Sequence, residues 1–85
     1  MIDGRHCTKK DLDLLIKETN NIKLSLSKDN LESFFKFIAR FDVYISNEMK
    51  RCISVTSDPD EILRIINQNV EMLKRNVIVD IYEHQ

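Results

Sequence analysis

Four side chains of this 85-residue chain could hold a metal or supply a nucleophile: His6, Cys7, Cys52 and His84. Two cysteines and two histidines are the inventory of a structural zinc site, which closes four ligands into a tetrahedron. Their spacing argues against one, because the sequence holds no C-x-x-C and no H-x₃₋₅-H pair. His6 and Cys7 belong to an opening stretch, Met-Ile-Asp-Gly-Arg-His-Cys, with no periodicity, and His84 is the penultimate residue. Cys52 falls on an apolar stripe, where a free thiol packs as a small hydrophobe. A Cys–His nucleophilic pair would also need a third, orienting group, and no glycine-rich turn stands ready to supply an oxyanion site. The expectation is a chain with no catalytic residue, no metal and no cofactor.

Asp58, Asp60 and Glu61 bring three carboxylates together, but the calcium-loop pattern D-x-[DN]-x-[DN]-G is missing. A helix start accounts for all three. Asp58 suits an N-cap, Pro59 the first helical position, and the acids the first turn, where they meet the positive end of the helix dipole. Glu61 stands where it can reach back to the cap's own N–H.

The basic pairs are Lys9-Lys10, Lys50-Arg51 and Lys74-Arg75, and the helix after Pro59 also offers Arg64, Asn67 and Gln68. A DNA-reading helix would display such residues. The whole chain carries 13 basic against 14 acidic residues, and that helix opens on three acids, which repel phosphate. Charge drifts along the chain: residues 1–28 have six basic and four acidic side chains, residues 58–85 three and six. A dimeric nucleic-acid-binding regulator is the second reading rather than the first.

More informative is a surplus of apolar surface. Ile65, Met72 and Val79 recur every seven residues, away from the main stripe Leu63, Ile66, Val70, Leu73, Val77 and Ile81. Phe37 and Tyr44 are also seven apart. One stripe per helix suffices for a small bundle, so a second is either a wide core or a surface for another chain. Asn69 and Asn76 lie beside it, as residues that could set register between helices.

These residues must be carried by helices. One Gly and one Pro among 85 residues leave no material for tight hairpins. Thr8 and Asp11 form a cap, and Leu12, Leu15, Ile16, Thr19, Ile22 and Leu26 follow as a stripe, which predicts a first helix over 9–26. Asp29 with Glu32 repeats the cap pattern. Leu31, Phe34, Phe35, Ile38, Phe41, Ile45, Met49 and Cys52 then predict one long second helix over 30–53, and the third spans 59–82.

The fold expected is all-α: an up-down-up bundle of three helices in one domain, residues 8–85, behind a flexible lead-in of residues 1–7. The rival is a small α+β domain with short strands near 22–26, 52–56 and 77–82, favoured there by β-branched residues. Two cysteines, no apolar run near 18 residues and a polar start point to a cytoplasmic chain without a membrane span. In length and helicity alone the outline resembles many small helical partner proteins, among them secretion and flagellar chaperones, phage or plasmid regulators and bacteriocin immunity proteins. The function expected is a non-enzymatic interaction module of chaperone, anti-factor or adaptor type. It would bind a partner helix, or itself, through Phe37, Tyr44, Ile65, Met72 and Val79, with no small-molecule substrate.

Overall fold

Thr8 opens the first helix through a reciprocal cap. Its backbone N–H donates to Asp11 Oδ2 at 2.9 Å, and its hydroxyl accepts from the Asp11 N–H. A computed structural model describes residues 8–83 of the chain, with side chains for residues 8–78. It contains α1 (Lys9–Leu24), α2 (Lys28–Ala39), α3 (Val43–Ser54) and α4 (Pro59–Glu83), and no strand among the described residues.

The helix count corrects the three-helix expectation. The segment read as one helix over 30–53 is two, parted at Arg40-Phe41-Asp42. Phe41 N–H bonds to Ile38 O at 2.9 Å, tightening the last turn of α2. Asp42 then swings into an extended conformation, and its Oδ1 accepts the N–H groups of Tyr44 (2.9 Å) and Ile45 (3.1 Å). That is an N-cap, which satisfies donors a new helix leaves orphaned. The buried Ser46 hydroxyl closes the corner by donating to Phe35 O at 2.6 Å.

One smaller boundary also moves, and the start of α4 keeps its place but not the expected Glu61 bond. The cap of α2 is Ser27, whose Oγ accepts from the Asn30 N–H, rather than Asp29. At the start of α4, Asp58 Oδ1 accepts from the Asp60 N–H, while the Asp58 N–H goes to Thr56 Oγ1. Glu61 pairs instead with Arg64 one turn on. The strands proposed near 22–26, 52–56 and 77–82 do not form. Residues 22–24, 52–54 and 77–82 are helical, Ser25–Ser27 and Thr56 lie in connections, and Val55 is a turn.

Connections of only three or four residues fold each helix back along its predecessor. α1 packs on α2, α2 on α3, α3 on α4, and α4 returns to α1. The core takes buried residues from every helix: Leu15 and Ile22; Leu31, Phe34 and Ile38; Ile45, Met49 and Ile53; Ile66, Val70, Leu73 and Val77. Each such side chain contributes about 1.5–3 kcal/mol by leaving water. The two buried hydroxyls are both satisfied, Thr19 by Leu15 O at 2.7 Å and Ser46 by Phe35 O. The lead-in and His84 lie outside the described residues.

Candidate functional site

The flanks of the buried stripes decide which surface each helix offers. Residues advance about 100° around an α-helix. On α3, Ser46, Asn47 and Lys50 fall to one side of the Ile45–Met49–Ile53 stripe, and they line the groove against α2. Tyr44, Glu48, Cys52 and Val55 fall to the other side, toward α4. On α4, Asn67, Glu71 and Lys74 line the crease against α1. Ile62, Ile65, Asn69 and Met72 occupy the opposite flank, toward α3. Counting outward from the Val55–Asp58 connection sets Tyr44 level with the Asn69–Met72 turn.

The α3–α4 face therefore bears an apolar band that the four-helix core does not bury. Tyr44 is 82% exposed, Val55 84% and Met72 47%. Ile62 and Ile65 are half-buried and packed against the core, so they form the floor of the band. Asn69 sits beside them with its amide donating to Ile65 O at 2.8 Å, a bond to its own helix. Cys52 is a half-buried free thiol at the margin, its Sγ 3.6 Å from Glu48 Oε1.

Of the five residues expected to bind a partner, Tyr44, Ile65 and Met72 lie on this face. Phe37 does not. It belongs to α2, half-buried against the core with its ring edge-on to Phe41, centroids 5.3 Å apart. Its seven-residue spacing from Tyr44 crosses the Asp42 break and so describes no common helical face. The Val79 side chain lies outside the described ones. Val55 and Cys52 were missed, because their kinship with Tyr44 follows only once α3 is known to begin at Val43.

Charges on α3 and α4 are paired locally, Lys74 with Glu71 at the α1 crease and the others on the outer surface. Arg51 binds Glu48 at 2.5 Å, Lys74 binds Glu71 at 2.9 Å, and Arg64 binds Glu61. The hydrogen bond from Arg51, and then its charge, hold the Glu48 carboxyl below the usual carboxylate range and raise Arg51 itself. Lys74 lowers Glu71 in the same way, with smaller pulls from Arg75 and then from Lys23 of α1. Arg64 and Lys74, two of the residues a DNA-reading helix would extend to phosphate, are thus engaged by neighbouring acids.

Open grooves run between α1 and α2, about 220 Å³ beside Ile22 and Phe34, and between α2 and α3, about 280 Å³ beside Phe35 and Ser46. Both are smaller than the ~300–1,000 Å³ of ordinary ligand pockets. Among the described residues no three His, Cys, Asp or Glu side chains converge as a metal site would require. No helix among them is long and apolar enough to cross a membrane. Comparison with protein-family models, curated proteins and solved structures finds no match to the chain.

Proposed function

We propose that this protein is a non-enzymatic interaction module that lays the α3–α4 face against an amphipathic helix. One observation carries the reading: Tyr44, Val55 and Met72 stand exposed along a band floored by Ile62 and Ile65. A tyrosine and a methionine beside a shallow apolar floor suit this mode. Tyrosine brings large area at low entropic cost, and methionine adapts to the side chains it meets. The Glu48–Arg51 pair at the margin gives the band a polar rim. Chaperone, anti-factor and assembly adaptor all operate by this kind of contact.

The test is capture of helices from a displayed library of amphipathic peptides, comparing the native chain with Tyr44→Glu/Met72→Glu. Both substituted positions are exposed, so the fold survives. The reading expects enrichment by the native chain and loss of at least about tenfold in affinity by the variant, an energy of about 1.4 kcal/mol. Equal capture by both proteins refutes it.

A further inference from the structure

We infer that a second copy of the chain covers the outer side of α4, which adjoins this face through Ile65 and Met72, with the two α4 helices packed antiparallel about a two-fold axis near Gln68. The inference rests on the interaction reading above and names its partner. Glu61, Ile65, Gln68, Met72 and Arg75 recur at intervals of four, three, four and three, so they share one strip of α4. The strip is turned away from the Ile66–Val70–Leu73–Val77 stripe, with Gln68, Met72 and Arg75 exposed and Glu61 and Ile65 half-buried.

Read in order, this strip runs acid, apolar, amide, apolar, base. A two-fold rotation about Gln68 sets position 61 opposite position 75 of the other copy, while Ile65, three residues before the axis, and Met72, four after it, come within one residue of facing each other. Glu61 faces the other copy's Arg75, Ile65 and Met72 interleave with their counterparts, and each Gln68 meets its equivalent, amide to amide. Asp58 and Asp60 extend the acidic end. A parallel pairing would oppose Glu61 to Glu61 and Arg75 to Arg75, and such contacts are repulsive. Charge therefore selects the antiparallel form. Glu61 already accepts from Arg64, but a carboxylate has about four acceptor positions and can take a second guanidinium. The closed two-fold is also the commonest arrangement of homo-oligomers, and a central paired amide fixes register against sliding.

Geometry supplies a sharp test. Helices about 8–10 Å apart, each with Cα atoms about 2.3 Å from its axis, bring facing Cα atoms to about 3.4–5.4 Å at the crossing. That overlaps the range a disulfide spans, about 4.4–6.8 Å. In full-length chain with Cys7→Ser and Cys52→Ser, Gln68→Cys should oxidise to a covalent dimer, whereas Ser33→Cys, exposed on α2, should not. Without any added cysteine, light scattering should show a concentration-dependent dimer. Glu61→Arg should weaken it about tenfold, and adding Arg75→Glu should restore it.

Equal crosslinking at positions 33 and 68 overturns the pairing, as does a charge swap that fails to rescue. A monomer at every concentration also overturns it. If that monomer still captures library helices through Tyr44 and Met72, the interaction reading stands with a different partner. If it captures none, that reading falls as well.

Discussion

Proline at position 43 separates two architectures of the same sequence. If α2 and α3 are distinct, Val43 is the first residue of a helix, where proline is favoured because its missing N–H is an orphan in any case. Asp42 precedes it in an extended conformation, φ −155° and ψ 109°, which a following proline tolerates. The Val43 side chain is 44% exposed, so only part of its burial energy is lost. The reduced freedom of the unfolded chain returns about 0.4–1 kcal/mol. Val43→Pro should therefore change stability by no more than about 1 kcal/mol. Were residues 30–53 one helix, the ring would clash with the carbonyl of Ala39 and delete a helical bond, costing about 3 kcal/mol or more. Chains of this size have about 0.05–0.15 kcal/mol of stability per residue, so the second outcome would remove a large share of it. Urea unfolding followed by far-UV circular dichroism decides between them, with Asp42→Ala as the companion variant. Loss of the Asp42 cap should cost about 1 kcal/mol, or about 4–8 °C in melting temperature. A Val43→Pro protein destabilised by 3 kcal/mol, or an Asp42→Ala protein more helical and more stable than its parent, would refute the break.

Three further outcomes follow from the packing. Leu73→Ala, at a fully buried position, should cost about 2–5 kcal/mol in the same urea assay, whereas Tyr44→Glu should stay within about 0.5 kcal/mol. Ile65→Glu should destabilise clearly more than Met72→Glu, because Ile65 packs against the core; equal and small effects would show that Ile65 is surface alone. Glu48 and Glu71 have lowered pKa values in the folded chain. Their contribution is present above the unfolded carboxylate value, near 4.5, and fades as pH falls through the folded values. Both groups are solvent-exposed, so the acid-side loss in a pH series should be shallow, and salt should flatten its difference from Glu48→Gln/Glu71→Gln.

What could be read from the sequence depended on whether a boundary carried its own chemistry. The Asp58-Pro59 start of α4 and the Thr8–Asp11 cap of α1 announce themselves, because each places a side-chain acceptor where orphan N–H groups need one. The Ile66–Val70–Leu73–Val77 stripe kept helical phase, and it outweighed the β-branched residues that follow. The break between α2 and α3 was hidden by that same logic. Ile38, Phe41, Ile45 and Met49 keep spacings of three and four across it, with no Gly or Pro to mark it, and Asp42 is a single cap-forming residue inside an apolar run. The periodicity continues because the core lies on the same side of both helices, not because the backbone is continuous. The error passed on to the site. Phe37 and Tyr44 looked like one face, and only the corner held by Asp42 and Ser46 assigns Phe37 to the core margin and Tyr44 to the α3–α4 band. Ile65 and Met72 share a flank because α4 is one continuous helix, although seven-residue spacing alone could not rank their exposure.

The most direct measurement of the central claim is amide chemical-shift mapping on isotope-labelled protein through a dilution series. The account predicts concentration-dependent shifts concentrated along the Glu61, Ile65, Gln68, Met72 and Arg75 strip of α4, fading together at low concentration. Shifts confined to the α1–α2 groove around Glu18 and Ser33, or none at any concentration, would contradict it.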